Sequence, residues 1–194
     1  LFELTLKWDG RVSVLRRDVE LTMPTLKEKL TALQAEAAAH DLFVRLSFGA
    51  GVTVGEAAKI AQAMSLVDGK GLKMDGPPPG QFFFRAFLPD PAWRERPGRI
   101  FQPFEVHVAA DGSKKFVFIE EDWSGEGLDP VLKPRETSFT EWAELSKLIA
   151  QTGEKGVKIN VLFIFAPKAT PVTELTPVTA ATAGRIGTFY IFSD

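Results

Sequence analysis

Glu120-Glu121-Asp122-Trp123 is the first run in this sequence that invites a chemical reading, because it gathers three carboxylates ahead of a Gly/Asp/Pro-rich stretch. Paired carboxylates can serve general acid–base catalysis or hold a calcium ion. Consecutive side chains at a strand end point to opposite faces, however, which favours a solvated loop. His107 falls on the polar face of an alternating strand, and His40 ends a helix, where an imidazolium would complement the dipole. Nothing in their spacing brings the two together. Gly49-Ala-Gly51 sits between a strand and a helix, where backbone N–H groups can hold an anion. It lacks the third glycine and the lysine of a phosphate loop and reads as a tight β–α turn. No Gly-x-Ser-x-Gly elbow is present.

The densest basic and aromatic cluster is Trp93-Arg-Glu-Arg96 with Arg85 and Arg99. Arg85, Trp93, Arg94, Arg96 and Arg99 are therefore the candidate binding residues, suited to a carboxylate polymer or a partner protein through bidentate guanidinium contacts and stacking. The plainer reading is a linker packed by Trp93 and solvated by its charges. The aromatic segments Phe82–Phe84 and Phe189–Phe192 offer an edge to a partner strand, fill the core, or pair with one another across the pseudo-dimer.

Composition narrows the field further. The 194 residues carry 25 acidic and 23 basic side chains, a formal charge of −2, so long-range attraction to nucleic acid or anionic lipid is not expected. There is no cysteine and there are two histidines, which excludes disulfides, thiolate metal sites and cysteine nucleophiles. No metal or cofactor is expected. The longest apolar run, Val161–Ala166, is far below the ~20 residues that span a bilayer. Leu1 opens directly into an alternating pattern without a methionine or a signal peptide, which reads as a fragment and leaves room for a targeting or membrane segment upstream.

The elements that would position these side chains repeat. Phe2–Gly10 reads Phe-Glu-Leu-Thr-Leu-Lys-Trp-Asp-Gly and Phe104–Gly112 reads Phe-Glu-Val-His-Val-Ala-Ala-Asp-Gly, identical at four of nine positions. Both alternate at period two and end in Asp-Gly, the strongest short hairpin signal, with return strands predicted at Val12–Leu15 and Lys115–Ile119. A helix follows each hairpin. Thr25–His40 places Leu26, Leu30, Leu33 and Ala37 on one face, and Ser138–Gln151 does so with Trp142, Leu145 and Ile149. The apolar strands Leu42–Phe48 and Ile159–Phe165 come next, the second apolar on both faces and so a central strand. Thr53-Val-Gly-Glu56 has the form of a capping box, and its counterpart helix is predicted to start at Pro177 with Thr176 as cap. The closing strands are Gln81–Phe87 and Gly187–Phe192, with Gly69–Gly80 an inserted loop.

The prediction is an α+β protein of two similar β-β-α-β-α-β lobes, helices on one face of each sheet, in a pseudo-two-fold tandem repeat. The repeats span 1–87 and 104–194, joined by a proline-rich linker, 88–103. Glu120–Thr137 is an extended connection in the second lobe, of a length that is often functional or disordered.

This order, with a Val-x-Glu helix opening after the apolar strand, resembles the periplasmic domain of the ExbD/TolR biopolymer-transport family. The matching residues are Phe2–Gly10, Thr25–Leu33, Val44–Phe48 and Val54–Glu56, and again Phe104–Gly112, Ser138–Leu145, Val161–Phe165 and Val172–Glu174. An acidic residue that the family commonly carries after the third strand is absent from both copies. The resemblance implies a non-catalytic, periplasmic part of a proton-driven energy-coupling complex, anchored to the inner membrane by a helix upstream of Leu1 that bears the essential aspartate. It implies inner-membrane motor or envelope proteins as partners, no nucleic acid, and a monomer that acts as a dimer fused into one chain. The alternatives are a soluble or secreted tandem domain that binds a ligand or protein, and an enzyme with its site between the lobes.

Overall fold

Period-two alternation and amphipathic helical segments build the described elements. The computed structural model describes residues 2–8, 11–17, 24–25, 27–29, 31–32, 35, 41–46, 51–64, 82, 87–88, 103–125, 130–154 and 159–193. In chain order they form β1 (Phe2–Trp8), β2 (Arg11–Arg17), β3 (Asp41–Leu46), α1 (Val54–Met64), β4 (Phe87–Leu88), β5 (Phe104–Val108), β6 (Lys114–Asp122), β7 (Val131–Phe139), α2 (Trp142–Glu154), β8 (Val161–Ala166), α3 (Val172–Leu175), α4 (Pro177–Ala181) and β9 (Thr188–Ser193). Within the helix expected at Thr25–His40, Lys27, Glu28, Lys29, Thr31, Ala32 and Ala35 are helical. The fold is mixed α+β, with a three-stranded sheet β2-β1-β3 and a six-stranded sheet β4-β9-β8-β5-β6-β7.

Both hairpins form where the repeated motif predicts them. β1 pairs antiparallel with β2 from Phe2↔Arg17 to Trp8↔Arg11, and β5 with β6 from Glu105↔Val117 to Val108↔Lys114. In the second turn Ala109 N–H donates to the Ser113 carbonyl at 2.9 Å, and Gly112 adopts φ +82°, a left-handed conformation that glycine takes without steric cost. In each half the hairpin's first strand lies between its partner and the next apolar strand, giving β2-β1-β3 and β6-β5-β8.

The polarity of that third strand differs between the halves. β3 runs antiparallel to β1, whereas β8 runs parallel to β5. The cause is a strand in place of the extended connection expected at Glu120–Thr137. β7 occupies Val131–Phe139 and pairs antiparallel with β6. It also contains Ser138 and Phe139, so the helix expected at Ser138–Gln151 begins at Trp142 instead. In each half, the strand after the first helical segment is parallel to the strand before it, β3 to β2 and β8 to β7. An additional antiparallel strand therefore reverses the direction of β8 relative to its hairpin.

The helix starts are locally encoded. At α1, Thr53 N–H and Oγ1–H donate to Glu56 Oε2 at 3.0 and 3.2 Å, and Glu56 N–H returns a bond to Thr53 Oγ1 at 3.3 Å. This is the reciprocal capping box that Thr53-Val-Gly-Glu56 predicts. At α2 the carboxylate of Glu144 accepts from the N–H groups of Glu141 and Thr140 at 2.8 and 3.1 Å. Those two bonds hold its pKa below the ordinary glutamate value. Pro177 is the first residue of α4 as expected, but Thr176 makes no side-chain cap bond there, and its hydroxyl donates backward to the Thr173 carbonyl at 3.0 Å.

One core cluster unites α1, α2, α3 and α4 with the six-stranded sheet. Val54, Ala57, Ala58 and Ile60 of α1, Trp142, Leu145 and Ile149 of α2, and Val172, Leu175 and Val178 of the short helices meet Phe104, Val106, Phe116, Leu162, Ile164 and Ile191. On the opposite sheet face Phe163, Phe165 and Phe192 form a second cluster, with Val161 and Tyr190 against it. β8 is thus buried on both faces, as the doubly apolar run Ile159–Phe165 predicts. α1 packs on β4 and β9, and its first turn is stitched to the segment after β8, where Val54 N–H donates to Thr170 O and Gly55 N–H to Lys168 O. A Cβ on Gly55 would lie 3.2 Å from the Lys168 carbonyl, which explains the glycine. The closing strand expected at Gln81–Phe87 is the short β4, parallel to β9. Phe82 lies outside it, buried and edge-on to Phe87 and Phe189.

Candidate interaction surface

β6 and β7 form a hairpin that starts in the core and ends in solvent. Nine residue pairs run from Lys114↔Phe139 at its root to Asp122↔Val131 at its tip. Phe116 and Phe118 point into the helix-covered core. Two and four residues beyond Phe118, the same face carries Glu120 and Asp122 instead, and cross-strand cations meet them. Arg135 Nε donates to Glu120 Oε2 and Lys133 Nζ to Asp122 Oδ2, each at 2.5 Å. Ion pairs replace apolar side chains where the arm leaves the helices behind. Lys133 and Ser124 together hold the Asp122 carboxyl well below the usual carboxylate range.

The opposite face of the arm combines Lys115 paired with Glu136 at 2.9 Å and the Trp123 indole N–H donating to Glu121 Oε2 at 3.2 Å. Leu132 stands opposite Glu121 in register, so Leu132, Glu121 and Trp123 share this face. Trp123, Val131 and Leu132 are 64%, 55% and 50% exposed, the large exposed hydrophobics among the described residues. Every residue of β7 from Val131 to Ser138 is exposed and only Phe139 is buried. β7 is the last strand of its sheet, and Pro134 lies at its middle, where an edge tolerates the missing N–H.

The cross-strand row Phe192–Phe165–His107–Lys115–Ser138 crosses the second sheet face in register. Phe165 stacks on Phe192 at 4.9 Å and on His107 at 4.6 Å between ring centroids. His107 Nε2 lies 3.0 Å from Glu105 Oε2. A shallow cavity of about 600 Å³ is bordered by His107, Lys115, Ser138, Thr140 and Glu144. Its charged groups are already engaged, Lys115 with Glu136 and Glu144 with the α2 cap. A second hollow of about 410 Å³ lies beside the α1 cap and Lys168. Among the described residues no three His, Asp or Glu side chains converge as a metal-binding group.

Several candidates lie outside the described residues: Arg85, Trp93, Arg94, Arg96 and Arg99, together with His40 and the loop Gly69–Gly80. Gly51, described at φ +97°, fits the tight turn before α1. The Glu120-Glu121-Asp122 run corrects the expectation of a solvated loop: these residues belong to β6, Glu121 on one face and Glu120 and Asp122 on the other, where each of the latter two is taken up by its own cation. The missed signal was the spacing of Glu120 and Asp122 against Lys133 and Arg135. The two residues of each pair are two positions apart, on either side of a Gly- and Pro-containing segment.

No protein-family model, curated protein or solved structure matches the chain. No described helix is long and apolar enough to cross a membrane.

Proposed function

We propose that the protein is a non-catalytic interaction module, the periplasmic part of an ExbD/TolR-like energy-coupling transport complex that contacts inner-membrane motor or envelope proteins. The observation that carries the interaction reading is the β6–β7 arm, which continues past the helix-covered core and exposes Trp123, Val131 and Leu132. Trp123 and Leu132 share one face of the arm, and exposed apolar side chains that lie together within a polar rim mark protein-binding sites. The neighbour order β2-β1-β3 and β6-β5-β8 favours a tandem origin, two β-β-α-β-α-β lobes of which the second has acquired the arm. The energy-coupling part of the proposal rests on the resemblance in sequence order.

Two experiments test the two parts. Replacing Trp123 by a photo-cross-linking amino acid in cells should yield discrete protein adducts, and their absence would remove the interaction role of the arm. Sequencing the native gene upstream of the codon for Leu1 tests the motor assignment. One apolar span of about 20 residues containing an aspartate supports it. A signal peptide alone, or a soluble start, would leave a tandem ligand- or protein-binding domain as the function.

A further inference from the structure

We infer that the tip of the β6–β7 arm docks, by its face and not by its edge, a basic polypeptide segment in which an arginine lies close in sequence to an apolar side chain. The inference rests on the reading of the arm as an interaction surface and names what that surface takes.

The tip carries its own charge arithmetic. Glu120 and Asp122 are committed to Arg135 and Lys133. Glu121, on the other face, has no cation among the described residues and accepts one bond from the Trp123 indole. A carboxylate has about four lone-pair sites, so Glu121 keeps acceptor capacity for a guanidinium. That guanidinium would lie against the indole of Trp123, with cation–π attraction added to the charge-assisted hydrogen bond. Leu132, opposite Glu121 in register, supplies the apolar contact for a neighbouring side chain.

The same residues disfavour the other occupants. A second copy meeting this face with its two-fold axis at the Glu121–Trp123 pair would bring Glu121 against Glu121, and like charges desolvated together oppose association. An anionic lipid surface would be disfavoured at this face by the Glu121 carboxylate, since the cations Lys133 and Arg135 are held by Asp122 and Glu120 on the other face. Strand addition along β7 meets Pro134 at the middle of the edge, with Lys133 and Arg135 beside it. Proline and charged side chains are the devices that blunt an edge against pairing. A face-on contact by a cationic and apolar segment satisfies all three conditions.

The test uses the full 194-residue chain and a fluorescein-labelled peptide of alternating leucine and arginine, with an alternating leucine and glutamate peptide as its counterpart. Anisotropy should report saturable binding of the first and none of the second. Trp123→Ala with Leu132→Ala should weaken binding about tenfold or more, as for central interface anchors. Glu121→Gln should weaken it severalfold and flatten its salt dependence. All three side chains are exposed, so an unchanged denaturation midpoint confirms that the variants fold. Equal binding of both peptides, or binding indifferent to the double substitution, would overturn the inference. So would Trp123-dependent adsorption to phosphatidylglycerol vesicles, or a Trp123-dependent dimer in sedimentation velocity. If cross-linking from position 123 captures a segment without basic residues, this inference falls while the interaction role stands. If it captures nothing, the role itself falls.

Discussion

Thr53 and Glu56 show how much a four-residue motif can determine. Two hydrogen bonds between them, at 3.0 and 3.3 Å, satisfy backbone donors at the start of α1 that would otherwise lack a partner, and a third, at 3.2 Å, joins the two side chains. Glu144 does half of the same task for α2 from a different local sequence, since no hydroxyl stands at Glu141 to return the bond. Thr53→Ala removes the hydroxyl that caps α1 and is expected to destabilise the protein by about 1 kcal/mol. Chemical denaturation checks this through a lower midpoint at unchanged slope. His107 illustrates the converse. Its place on the polar face of an alternating strand was legible from Phe104–Val108, whereas its stacking on Phe165 depends on β8 lying beside β5.

The hairpin arm is held by different forces along its length. Its root is anchored by Phe116, Phe118 and Phe139 in the core, its outer half by cross-strand ion pairs in solvent, which contribute little individually and are screened by salt. Asp122 links this element to pH. Lys133 and Ser124 depress its folded-state pKa, so its stabilising contribution is fully present above the ordinary carboxylate pKa and is lost as pH falls through the depressed folded value. Near neutral pH the pair is therefore intact. Asp122→Asn should speed amide hydrogen exchange severalfold at Glu121 and Leu132, leave exchange at Phe116 unchanged, and leave the global denaturation midpoint in place. Equal acceleration at Phe116 would mean that the arm and the core open as one unit.

The six-stranded sheet draws its core from both halves of the chain. α1 and β4 join the face lined by α2, α3 and α4, while Phe163, Phe165 and Phe192 fill the other. Phe163 is fully buried and touches the rings of Phe165, Tyr190 and Phe192. Phe163→Ala is expected to cost about 3–5 kcal/mol, measured as a lowered midpoint in urea. A loss below about 1 kcal/mol would mean that the second face collapses around the gap, given how strongly such costs depend on relaxation. The features legible in the sequence were those written in neighbouring residues: the alternation of β1 and β5, the Asp-Gly turn with Gly112, the capping box of α1, the doubly apolar β8 and the position of β9. They depend on the pleat, on left-handed glycine and on bonds that span three or four residues, so a short window contains their cause. The arm, the parallel direction of β8 and the docking of α1 and β4 on β9 have no such window. Lys133 and Arg135 meet Asp122 and Glu120 only once β6 and β7 have paired. Hydrophobic periodicity tells each strand which face to bury but not which strand lies beside it, and that choice belongs to contacts between residues far apart in the chain.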